Sequence, residues 1–161
     1  MMRIGLAIAL LLSSAAAQAD QQCVSEAELG ALVAAAAPPA LNALTDRCSA
    51  SLPEGDYLRT NGHALAQRFA DVEYDKPLLV SGLGKFGGHK LPEAVSPASI
   101  SSILNDMVAG EVRKMDPGHC KPASRLVASL SGMEPRAFIS FVIAFFAIAD
   151  VKKPSICREN G

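Results

Sequence analysis

Between Arg136 and Asp150 lie thirteen consecutive residues, 137–149, of which only Ser140 is polar. Four of the six phenylalanines stand there: Phe138, Phe141, Phe145 and Phe146. A helix of that composition has no polar face to offer water, so the run predicts a helix over about 135–150, buried on every side. The rest of the chain is then expected to wrap around it. As a helix the run spans ~20 Å, short of the ~30 Å hydrocarbon layer of a bilayer, which favours a core helix over a membrane span. Phe141→Ala or Phe145→Ala is expected to cost about 3–5 kcal/mol on that reading. Should a cavity run beside the helix, Met107, Phe138, Phe141 and Phe145 are its expected apolar lining, with Met115 and Met133 as further adaptable wall.

The first residues do not belong to this fold. Met1-Met2-Arg3, an apolar run over 4–12 and Ala17-Gln18-Ala19 follow one another in the order of a secretory signal peptide, expected to be cut after Ala19. Removing 19 of 161 residues leaves 142, enough for one domain with a real core. Arg3 is the only charge lost, so 14 basic and 16 acidic residues remain, a net charge of −2. That balance gives no electrostatic reason to expect nucleic acid as a partner, and no stable membrane anchor is expected. The predicted location is periplasmic or secreted.

Cys23, Cys48, Cys120 and Cys157 all fall in the exported part, and an even count in an oxidising compartment reads as two disulfides. Of three possible pairings the sequential one, Cys23–Cys48 with Cys120–Cys157, is preferred, because each pair flanks a local pair of helices. It requires the chain between Cys23 and Cys48 to double back, since bridged Cα atoms lie within about 7 Å of each other. The nested pairing, Cys23–Cys157 with Cys48–Cys120, comes second.

Helix signals recur along the chain. Ser25 and Glu28 form a capping box before Leu29, Leu32, Val33 and Ala36. Pro38-Pro39 is expected to end or sharply bend that helix, with a second one running on to about Cys48. Residues 57–60 read as extended and Asn61-Gly62 as a turn, followed by a helix over 64–73. Residues 77–86 read as a short, weak helix, because each interior glycine costs roughly 1 kcal/mol. Ser96-Pro97 opens the cleanest helix, with Ile100, Ile103, Leu104, Met107, Val108, Val112 and Met115 inward. Residues 122–130 make another, and Pro135 starts the phenylalanine-rich one. With no sustained period-two pattern, the chain is expected to form a single all-α domain of six or seven helices.

Chemical motifs are sparse. The glycines and lysines of residues 81–90 could bare backbone N–H groups to an anion, but the phosphate-loop spacing is missing. His63, His89 and His119 have no helical partner at i+4, so no metal site is expected. Asp71, Glu73 and Asp75 resemble the start of a calcium loop, yet Lys76 stands where glycine is required. Glu54 and Asp56, with His63 and His89, are the first side chains to inspect for acid–base work, though nothing in the spacing joins them. No cofactor is expected. The expected function is therefore binding without catalysis, most simply of another exported protein. A carrier of a lipid or other apolar small molecule comes second, and a hydrolase third.

Overall fold

Helix α1, Glu26–Cys48, runs for 23 residues without interruption, and both Pro38 and Pro39 lie inside it. The structure, a computed structural model, describes residues 23–87, 96–149 and 155–157. The expected leader and His89 lie outside the described residues. Six α-helices follow in order: α1; α2, Tyr57–Ala70; α3, Lys76–Gly87; α4, Pro97–Lys114; α5, Cys120–Leu130; and α6, Pro135–Ile148. A 3₁₀ turn, Pro117–His119, joins α4 to α5. Among the described residues the only β-type pairing is an isolated parallel bridge between Val24 and Ile156. The chain is one all-α domain, as its periodicity predicts.

The centre of that domain is not where the phenylalanines predict it. α1 packs against α2, α3, α4 and α6, and its Leu29, Ala31, Leu32, Ala34, Thr45 and Cys48 are buried. The main core joins Val24, Leu29, Ala31 and Leu32 to Leu79 and Leu83 of α3 and Ile100 and Leu104 of α4. A second cluster gathers Cys48, Leu52, Leu58 and Cys120 at the far end of α1. α6 occupies its expected residues but buries only Pro135 and Ile139, while Phe141, Phe145 and Ile148 are 50%, 58% and 84% exposed. The expectation of a helix buried on every side is corrected. α6 packs on α1 with one face, and no other described helix covers the opposite face.

Three local expectations are also corrected. Two interior prolines cost a helix roughly 3 kcal/mol each, yet α1 continues through them because neighbours hold both halves. Helicity here comes from packing rather than from propensity. Residues 57–60 and Asn61-Gly62 are not extended chain and turn but the first two turns of α2, capped by Asp56, whose side chain accepts the Leu58 N–H at 3.2 Å. Gly62 is needed there for close approach. Its Cβ would overlap Thr45 Oγ1 of α1, so the glycine marks a helix crossing. Gly82 of α3 serves the same end: a Cβ there would stand 2.9 Å from Leu32 Cδ1 and 3.3 Å from Glu28 Cβ. In α4 the expected stripe holds at Ile100 and Leu104, whereas Ile103 and Met107 are exposed.

The disulfides follow from the unbroken α1. Cys23 and Cys48 stand at opposite ends of a helix, roughly 35 Å apart at 1.5 Å per residue, so they cannot pair. Cys23 bonds Cys157, with Cα atoms 5.0 Å apart, and Cys48 bonds Cys120 at 5.4 Å. The pairing is nested, not sequential. One bridge ties the start of α1 to the chain's last described residues, where Val24 N–H donates to Ser155 O and Cys157 N–H to Val24 O. The other fastens the end of α1 to the start of α5. Such bridges are compatible with an exported protein.

Among the described residues α1 is the one helix long and apolar enough to cross a membrane by length and composition. In this domain it is the core helix.

Candidate functional site

The middle of α1 is a run of small side chains, Ala34-Ala35-Ala36-Ala37-Pro38-Pro39-Ala40. Alanines give a helix high propensity but little volume, so helices laid across them leave space. One such space is a half-open groove of about 340 Å³. Its floor is Val33, Ala36, Ala37, Ala40 and Leu41 of α1. Leu65 and Phe69 of α2 form one wall, Leu126, Val127 and Leu130 of α5 a second, and Phe138 and Val142 of α6 a third. Every lining side chain is hydrocarbon.

The walls are held by specific contacts. The Phe69 and Phe138 rings meet edge to face, with centroids 5.2 Å apart and planes at 81°, a favoured arrangement that clasps α2 to α6. Arg68 reaches from α2 to the α5–α6 turn, donating to Ser131 O at 2.8 Å and Met133 O at 3.3 Å. Ser124 of α5 donates to Asp56 Oδ1, and Leu58 N–H donates to Ser124 Oγ at 3.2 Å, which docks α5 on the start of α2. The chain bends by 119° between residues 117–130 and α6, and the groove opens between these two arms. Leu126, 61% exposed, stands at the mouth.

Two smaller spaces share the alanine floor. One, of about 220 Å³, lies beside Ala34, Ala35, Pro38 and Pro39, with Tyr74, Ser101, Leu104 and Asn105 around it. The other, of about 290 Å³, lies on the opposite side of Ala34 between the α2–α3 turn and α6.

Of the four expected pocket residues, Phe138 lines the groove. Phe141 and Phe145 point away from it on the exposed face of α6, and Met107, 45% exposed on α4, is not in its wall. The sequence reading missed the floor and the α5 wall. The signal was present in the tract of alanines, but absence of volume is not a motif.

The acid–base candidates do not converge. Glu54 is exposed in the turn before α2, and Asp56 is spent on capping that helix and on Ser124. His63 lies two helical turns beyond Asp56, about 10 Å along α2. Its Nδ1 is 2.9 Å from Asn42 Oδ1 and its Nε2 is 3.2 Å from Asp46 Oδ1, all on the open surface with no nucleophile among these contacts. No group of three or more metal-ligating side chains comes together among the described residues.

The described part of the glycine–lysine stretch, residues 81–87, is helix rather than loop, and its Ser81 and Lys85 are engaged with Glu28 of α1. Ser81 Oγ donates to Glu28 Oε1 at 2.5 Å, while Lys85 Nζ and Ser25 N–H each donate to Oε2 at 2.8 Å. Glu28 is only 4% exposed. Burial opposes its charge, but the Lys85 ammonium, the Ser81 hydroxyl and the Ser25 amide outweigh that and bring its carboxyl down to about 2. This is a structural ion pair between α1 and α3, and Glu28 completes the capping box as well.

No protein-family model, curated protein or solved structure matches the chain. The functional reading accordingly rests on the groove alone.

Proposed function

We propose that this is an exported, non-catalytic binding protein whose ligand is an apolar small molecule, such as an acyl chain, held in the groove between α1, α2, α5 and α6. The observation that carries the reading is the hydrocarbon character of all twelve lining side chains. A wall without a donor, an acceptor or a charge has nothing with which to activate or orient a polar substrate, and it favours a ligand that water rejects. A volume of about 340 Å³ lies at the small end of the range of ligand pockets. Export is supported by the leader-like start of the sequence and by the two disulfides.

Native mass spectrometry after incubation with a saturated fatty acid tests this. The expected result is a one-to-one complex, weakened at least about tenfold in Leu126→Asp, which sets a carboxylate at the mouth of the groove. Absence of any complex in the parent protein, or unchanged binding in Leu126→Asp, would overturn the reading.

A second reading is favoured by a different observation. Phe141, Phe145 and Ile148 form an exposed apolar stripe at i, i+4 and i+7 on the outer face of α6. It suits an exported partner protein with an apolar face of its own. A photo-crosslinker in place of Phe145 that captures no protein in the periplasm would eliminate it.

A further inference from the structure

The space of about 290 Å³ beside Ala34 differs in kind from the apolar groove. Glu73, Tyr74 and Asp75 of the α2–α3 turn border it on one side, and Arg136 and Ser140 of α6 on the other. Its floor is apolar, with Gly30, Ala31 and Ile139 among the residues beneath. An arginine and two acidic residues are therefore among those that line one cleft. All three are exposed, and none of the ion pairs among the described residues involves Arg136, Glu73 or Asp75. Asp75 has one engagement, Oδ1 accepting the Leu78 N–H at 3.0 Å at the start of α3. The Arg136 side chain and the Glu73 carboxylate have no hydrogen-bond partner of their own. One basic and two acidic residues thus border a common space without an ion pair across it.

We infer that this cleft binds a small zwitterion of the amino-acid type, its carboxylate on Arg136, its ammonium on Glu73 and Asp75, and a short aliphatic side chain on the floor. A guanidinium presents paired donors that match a carboxylate, and a charge-assisted hydrogen bond is about twice as strong as a neutral one. A simple anion would be repelled by the two carboxylates, and a simple cation would leave Arg136 unused. The volume admits a free amino acid and not a folded segment of chain. The cleft lies apart from the apolar groove and binds by charge, so the inference stands or falls independently of the acyl-chain reading.

Isothermal titration of the disulfide-bonded protein tests it, with alanine, valine and leucine as ligands and two analogues of leucine as controls. N-acetyl-leucine lacks the cation and leucine amide lacks the anion. The aliphatic amino acids are expected to bind, and leucine at least about tenfold more tightly than either analogue. Arg136→Gln should abolish the preference for leucine over leucine amide, and Glu73→Gln should narrow the preference for leucine over N-acetyl-leucine, Asp75 remaining. Both side chains are exposed, so both variants should melt like the parent, which separates lost binding from lost fold. No binding of any of the three amino acids at millimolar concentration overturns the inference, as does a variant that keeps the parent's preference among the leucine ligands.

Discussion

α1 and α6 both carry long apolar runs, and they have opposite fates. α1 carries Glu26, Glu28, Asp46 and Arg47 and two prolines, yet it is enclosed by four neighbours and supplies the floor of all three spaces. α6 has Arg136 as its only charge and is open along a whole face. Burial of a helix is set by how many neighbours the chain can bring to it, not by composition alone. A domain of this size has too few elements to cover every apolar face, and much of any protein's surface is apolar. α1 is long, and the chain turns back on it repeatedly. α6 comes last, with one face on α1 and the other left over.

The largest test of this contrast is reduction of the disulfides, which hold both ends of α1. The bridges separate their cysteines by 134 and 72 residues in sequence, and loops of that length are worth about 4–5 kcal/mol each on the chain-entropy model. Reduction should lower the melting temperature by many degrees. The nested connectivity sharpens the test: Cys48→Ser and Cys120→Ser should each cost the same as the two together, whereas Cys23→Ser should add to either.

Leu29→Ala, in the core face of α1, should cost about 2–5 kcal/mol by equilibrium denaturation, since Leu29 is 3% exposed and its neighbours close around it.

The Glu28 carboxyl, at about 2 in the folded protein against an ordinary value of 4.5, is charged more readily folded than unfolded. Its contribution, roughly 3 kcal/mol, is complete above pH 4.5 and is lost as pH falls towards 2. Glu28→Gln should therefore flatten the acid limb of the stability profile between those values.

Phe145→Ala, on the outer face of α6, should change stability by no more than about 0.5 kcal/mol. This replaces the 3–5 kcal/mol that the composition of α6 predicts. A large loss there would return α6 to the core and break the contrast.

The starts of α1, α4 and α6 were legible in the sequence because caps are local chemistry. The Ser25–Glu28 box, Ser96-Pro97 and Pro135 each open a helix where the residues say they should. What depends on distant parts of the chain was not. Pro38-Pro39 and Asn61-Gly62 are breakers by local preference, but packing of α1 against α2 carries both helices through, and Gly62 is there for Thr45 to fit. The disulfide pairing turns on the same point: with α1 unbroken the sequential pairing is impossible. The groove was half legible. Phe138 follows from the phenylalanine run, whereas Ala36, Ala37 and Ala40 matter for the volume they lack.

That last point is the centre of the account, and Ala40→Phe tests it most directly. The substitution places a ring in the groove from its floor and disturbs no hydrogen bond. Titration of the variant with the fatty acid bound by the parent, beside its melting curve, should show binding reduced at least about tenfold in a protein that still unfolds cooperatively, at a stability cost of no more than about 1–3 kcal/mol. Unchanged fatty-acid affinity in a folded Ala40→Phe variant would contradict it, because the ligand would then lie somewhere other than on the alanines of α1.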